Sequence, residues 1–305
     1  MKKIIAQGAT TKPIASTLRK CFLFAAAAVT AAVAHIPEAA AARCSANAAG
    51  DWTCIHQTRD LTFVDKYGIS KKRQVRWQVP EGAPPAGGWP VAFFYHPTVP
   101  VGTNPFVVQA TAGSGGIYIP KMFHELLDDP TGTGKKYAIV APVSAAHFGT
   151  NYWDTNVAFT YSGSEDYKFF PDLFGEIISG NFGPASQYNM NRRYAFGMSS
   201  GGFNTSRMAV TFNSGGEWKA LGIIAASYAT CSASCSVPTL PANHPPTKFW
   251  HGTGDFTVPI STMRTYYNKL VAQGIPAEKL EHSGGHVFTA DNVGATGVKA
   301  YFDRY

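Results

Sequence analysis

Gly197, Met198, Ser199, Ser200 and Gly201 spell a GxSxG motif. It lies between an apolar run, Arg193 to Met198, that reads as a strand and a segment, Gly201 to Phe212, that reads as a helix. A tight strand-to-helix turn lifts a serine hydroxyl above the edge of a sheet. It also points the first amides of the helix at charge developing on a substrate oxygen. A serine hydroxyl is a weak nucleophile at neutral pH, so a base must take its proton and an acid must orient that base. Downstream, HGTGDFTVP carries Asp255 just past a strand ending near His251, and HSGGHVF carries His286 in a loop past the next short strand. His251 and His282 are rivals to His286, but one sits on a predicted strand and the other at the end of one. His286 follows Gly284 and Gly285 and keeps the freedom to reach the serine. Asp154, Asp166 and Asp172 precede Ser199 and do not fit the order Ser, Asp, His. The chemistry implied is acyl transfer through Ser199, Asp255 and His286.

Such a site needs two amide donors for the oxyanion. The Ser200 amide is one. The other is expected after the strand Val91 to Tyr95, in the run His96, Pro97, Thr98. Proline has no amide hydrogen, so the Thr98 amide is the candidate. His96 is expected to hold this loop by hydrogen bonds beside the substrate rather than to act catalytically.

The elements that must position these residues follow from periodicity and breakers. Leu61 to Val64 and Gln74 to Val79 read as strands joined by a polar turn, and Pro90 to Tyr95 and Tyr137 to Val143 as buried strands. Pro97 to Gly116 is too rich in glycine and polar residues for a regular element. Tyr118 to Leu127 reads as a helix. From Glu165 to Ile178 the apolar positions Phe169, Phe170, Leu173, Phe174, Ile177 and Ile178 keep helical spacing, with Ser164 placed to cap. Strands at Ala220 to Ser227, Lys248 to His251 and Lys279 to His282 follow, with a helix from Ser261 to Ala272 and another reaching Tyr305. Alternating strands and helices predict an α/β chain, a mostly parallel central sheet with helices on both faces.

Of the 305 residues 45% are hydrophobic and 15% charged, which excludes a disordered chain or a coiled coil. The formal charge of +7 would suit an anionic partner, but its location argues otherwise. Lys2, Lys3, Lys12, Arg19 and Lys20 precede an apolar run from Cys21 to Ala34 and a small-residue stretch ending at Ala42. That pattern predicts a secretory leader over residues 1 to 42 and one catalytic domain over 43 to 305. The run is too short to span a bilayer, so no membrane anchor is expected. Removing residues 1 to 42 takes away five positive charges and one negative, and the charge falls from +7 to +3. No basic stripe remains, so nucleic acid is not an expected partner. Of the five cysteines, Cys21 goes with the leader. Cys44, Cys54, Cys231 and Cys235 then suggest two disulfides in an exported chain. Three pairings are open; Cys44 with Cys54 and Cys231 with Cys235 close the shortest loops. No metal or other cofactor is expected.

RRYAFGMSSGG, HGTGDFTVP and GGH, with RQVRWQVPEG upstream, resemble the extracellular polyhydroxybutyrate depolymerase and feruloyl esterase family of α/β-hydrolases, from about Arg73 to the C-terminus. NYWDTN around Trp153 is similar to that family's tryptophan-bearing loop, and EDYKFF to the acidic start of its next helix. The chain departs from the family in having His-Pro at residues 96 and 97 where His-Gly is commoner. The resemblance implies a secreted serine esterase of α/β-hydrolase fold with Ser199, Asp255 and His286 as its triad; a monomer is expected. Trp153 and Tyr152 would wall the substrate cleft. Short hydroxyalkanoate polyesters are the leading substrate, then plant cell-wall aryl or acetyl esters. An amidase with the same triad and an inactive binding module are the remaining alternatives.

Overall fold

The computed structural model describes residues 42–156, 160–231 and 235–305. The leader expected over residues 1 to 42 therefore lies, but for its last residue, outside the described residues. Eight strands form one sheet: β1 (Gln57–Val64), β2 (Ser70–Gln78), β3 (Trp89–Tyr95), β4 (Ala138–Pro142), β5 (Tyr188–Met198), β6 (Trp218–Ile224), β7 (Thr247–Gly252) and β8 (Ala277–His282). Their spatial order is 8-7-6-5-3-4-2-1. Only the pairings of β2, with β1 and with β4, are antiparallel; every other pairing is parallel. The order reverses around β3 and β5, and a parallel sheet opens a crevice at the carboxyl ends of strands on either side of such a point.

Alternation along the central strands feeds two cores. Ala92 and Phe94 of β3, with Tyr194 and Phe196 of β5, pack towards helices α1 (Tyr118–Asp128) and, near the C-terminus, α5 (Val298–Phe302). Val91, Phe93 and Tyr95, with Ala195, pack towards α2 (Glu165–Ile178) and the later part of α3 (Ser200–Thr211). Phe203 of α3 joins a third cluster with α4 (Ile260–Ala272), β6 and β7. Ser164 caps α2 as its position predicts, its hydroxyl accepting from the Tyr167 amide at 3.2 Å.

The differences from the sequence reading lie at element ends and in the long irregular segment. Within 97–116, Val99–Pro100 pairs with Thr150–Asn151, and Val107–Val108 pairs with Trp52–Cys54. These are two-residue ladders with no periodicity to betray them. Strand β6 stops at Ile224, because Ala225 takes a φ of 46°. The last helix is five residues, preceded by 3₁₀ turns at Ala290–Asn292 and Gly294–Thr296. Cys44 is bonded to Cys54 and Cys231 to Cys235. The first bridge closes the Cys44–Ala46 and Trp52–Cys54 ribbon to which Val107–Val108 is added. No helix among the described residues is long and apolar enough to cross a membrane.

Candidate active site

Strand β5 ends at Met198, and Ser199 follows with φ 53° and ψ −123°, a backbone shape that costs an L-residue strain. Hydrogen bonds on both sides hold it there. The Ser199 amide donates to Ile224 O of β6, and the Ser199 carbonyl accepts from the Phe203 amide of α3, each at 3.0 Å. The flanking glycines permit the close approach: a β-carbon on Gly197 would lie 2.5 Å from Tyr95 O, and one on Gly201 would overlap that carbonyl. Side chains at either position would push α3 off the sheet and lower the serine.

Asp255 is buried in the turn between β7 and α4. Its Oδ1 accepts from the amides of Thr257 and Val258, each at 2.9 Å, so one oxygen fixes its own turn. The other, Oδ2, lies 2.8 Å from Nδ1 of His286. A carboxylate only accepts, so the imidazole proton sits on Nδ1 and Nε2 is the basic nitrogen. The two loops meet through their backbones: Thr253 N–H donates to His282 O at 2.7 Å and Gly254 N–H to Gly284 O at 3.0 Å. Close packing of Gly252 against the carbonyls of Gly284 and Gly285 leaves no room for a β-carbon. The glycines in HGTGD and HSGGH are thus what lets the loops lie side by side.

The rival histidines take other bonds. His251 is fully buried, burial holds its pKa below the ordinary value, and its Nε2 donates to Val258 O at 2.8 Å while lying 3.4 Å from Asp255 Oδ2, farther than His286. His282 uses Nδ1 to accept from the Gly284 amide at 3.1 Å.

Ser199 and His286 line one cavity of about 590 Å³, a size typical of small-ligand sites. No hydrogen bond joins the Ser199 hydroxyl to the His286 ring, a looseness common in catalytic pairs before substrate binds. Its walls are mostly apolar, with Val99, Pro105, Val108, Ile119, Met198 and Phe288 among them. Most come from the irregular segment 97–116, which the Cys44–Cys54 ribbon backs through Val108. Phe288 is tied to the facing wall by its amide, which donates to Ser114 O at 2.9 Å. Thr98 lines the same cavity, and Ser200 opens α3 beside it.

Two residues expected at the substrate have other work, and a third, His96, holds its loop as expected. Trp153 is fully buried and cannot wall the cleft. Its indole N–H donates to His96 O at 3.0 Å, its amide donates to Ser200 Oγ at 2.9 Å, and its ring packs on Tyr95, His96 and Phe170. One residue, through its indole and its own amide, therefore ties the 96–98 loop to the start of α3, the two segments that carry the expected oxyanion amides. Tyr152 turns away, stacking on His147 with ring centres 4.4 Å apart, and does not line the cavity. His96 does line it, but both its nitrogens are spent: Nδ1–H on Pro97 O at 2.6 Å, and Nε2 on the Ser144 amide at 3.1 Å. Burial lowers its pKa to about 4, so the ring stays neutral and holds the loop.

Sequence reasoning passed over the support beneath Trp153. Asp166 Oδ2 accepts from the Asp154 amide at 2.6 Å, and its Oδ1 pairs with Arg73 at 2.5 Å, all three residues being buried. Burial raises Asp166 to about 6 against the pull of Arg73. The acidic start of α2 was visible in the sequence; that one of its acids turns inward was not.

No family model matches the chain. The poly(3-hydroxyoctanoate) depolymerase of Pseudomonas fluorescens is 41% identical to it over 259 residues, covering 83% of this chain and 86% of that protein. Among solved structures, a Bacillus cereus carboxylesterase superposes with a TM-score of 0.51 at 11% identity, covering 76% of this chain and 94% of the other. That likeness concerns the fold alone, which is the α/β-hydrolase fold.

Proposed function

The chain belongs to the polyhydroxyalkanoate depolymerase and esterase family of α/β-hydrolases and is a carboxylic-ester hydrolase, and on that premise we propose that it cleaves poly(3-hydroxyalkanoates) with medium-length pendant chains. The observation that carries this reading is the largely apolar cavity of about 590 Å³ that holds Ser199 and His286. A methyl pendant would leave much of it unfilled, so the preference shifts to longer chains than the short polyesters expected from sequence.

In the mechanism, Ser199 Oγ attacks the ester carbonyl as His286 Nε2 takes its proton. The oxyanion meets the amides of Thr98 and Ser200. His286 returns the proton to the departing alkoxide, leaving an acyl group on Ser199. A water activated by the same nitrogen then frees the acid. Asp255 keeps the Nδ1 tautomer and faces the imidazolium. The leader-like residues 1 to 42 and the two disulfides support export, and we read the enzyme as a monomer.

The test is a chain-length series. With p-nitrophenyl acetate, butyrate, hexanoate and octanoate, kcat/KM should rise by up to about fourfold per buried methylene until the cavity fills. Suspended poly(3-hydroxyoctanoate) should clear faster than poly(3-hydroxybutyrate). Preference for acetate and for the short-chain polymer would overturn the assignment.

A second expectation concerns Trp153. Trp153→Phe keeps an aromatic ring, though a smaller one, and removes the N–H that holds His96 O. It should lower kcat by roughly 10- to 100-fold, less than outright loss of an oxyanion donor, with KM within about threefold. An unchanged kcat would show that the loop holds its place without this bond.

A further inference from the structure

A second cavity, of about 510 Å³, lies beside the first, and the two share Thr103, Val143 and Asn151 in their walls. Strand β2 runs along it and brings Lys71, Lys72, Arg73 and Arg76 to its lining, against a single carboxylate there, Glu165. Glu165 is already shared by Lys71 at 3.2 Å and Arg73 at 3.4 Å, and Arg73 pairs also with Asp166. Lys72 and Arg76 have no acidic partner among the described residues.

Arg76 is the unusual one. It is 8% exposed, and its one hydrogen bond is from Nη1 to Thr103 O at 3.1 Å. A guanidinium has five donors in a rigid fork matched to a carboxylate, and a buried cation is ordinarily paired because desolvating it is costly. Here the fork lines an open cavity whose one carboxylate, Glu165, is taken by Lys71 and Arg73. Its charge also reaches the active-site loop, helping, after burial, to keep His96 neutral.

We propose that this second cavity is a carboxylate site, with Arg76 as its fork and Lys72 as a flanking charge, and that its ligand is the acid set free by ester cleavage. The naming of that ligand rests on the hydrolase reading; the site itself rests on the unpaired arginine. Each cleavage makes a carboxylate one wall away from Arg76, whereas an intact aliphatic polyester is neutral along its length. The cavity would therefore discriminate product from substrate by charge.

The full chain carrying Ser199→Ala, which cannot consume an ester, is titrated calorimetrically with 3-hydroxyoctanoate and, separately, with its neutral methyl ester. The acid should bind, more weakly as salt rises, and the ester should bind this site at least about tenfold less tightly. Arg76→Gln should cost the acid about tenfold or more, as loss of hydrogen bonds to a charged group does. Arg76→Lys, which keeps the charge without the fork, should fall between. An Arg76→Gln protein that melts like its parent and binds the acid equally well overturns the proposal, as does equal binding of acid and ester. If Arg76→Gln melts early, Lys72→Gln on the exposed side of the cavity replaces it: a loss of about threefold is expected, and unchanged affinity overturns the site. Turnover of p-nitrophenyl butyrate by the unaltered enzyme is measured in parallel. Turnover without acid binding sinks the carboxylate site alone, whereas no turnover of any ester sinks the hydrolase reading.

Discussion

Ser199→Ala is expected to lower kcat/KM for p-nitrophenyl octanoate by about 10⁴- to 10⁶-fold while leaving the thermal midpoint within about 2 °C of the parent. The size of the loss follows from the role: without Oγ there is no acyl-enzyme, and His286 and Asp255 have nothing to activate. Stability should hardly change, because what holds this residue at φ 53° is its own backbone, bonded to Ile224 O and Phe203 N, and alanine keeps both bonds. The measurement is initial rates beside a melting curve on the same preparation. Residual activity within tenfold of the parent would remove Ser199 as nucleophile, and a binding module would show no activity to lose.

The second large effect is on folding. Gly201→Ala should fail to fold or lose more than about 4 kcal/mol, far beyond the usual cost of a substitution. The added β-carbon would overlap the Tyr95 carbonyl and lie 2.6 Å from His96 O, both backbone atoms. Neither can yield easily. Tyr95 is fully buried between Trp153 and Phe170, and His96 is held by Trp153 and Ser144. Gly175→Ala is the matched control: it sits inside α2 with nothing within 4 Å of an added β-carbon. It should be neutral or stabilising by about 0.5–1 kcal/mol. Urea midpoints of the two variants give the comparison, and a Gly201→Ala protein as stable as the control would refute the packing argument.

What could be read without the structure was local or ordinal. The GxSxG turn was legible because strand period, glycines and helix period change within a few residues. The Ser164 cap was legible because capping is settled within three residues, and the observed bond to the Tyr167 amide is of that kind. The pairing of Asp255 with His286 was expected from their places after successive strands, and the 2.8 Å contact has that origin. The readings of Trp153 and Tyr152 went astray for one shared reason, whereas His96 holds its loop as expected. Both were placed at the substrate because their loop resembles a tryptophan-bearing loop of the family, yet a side chain's direction depends on segments far along the chain. Trp153 reaches His96 and Ser200, 57 and 47 residues away, and His96 reaches Ser144, 48 residues away.

By itself, then, the sequence determined the fold class, the order Ser199, Asp255, His286, and the turns that present them. These depend on backbone preferences and periodicity, which act over a few residues. The tertiary structure alone decided which aromatic rings are buried as clamps. It alone turned the irregular 97–116 segment into the wall of an apolar cavity, and left Arg76 facing a second one without a counter-charge. Those outcomes depend on which surfaces exclude water from one another, and that is settled only when residues distant in the chain are packed together.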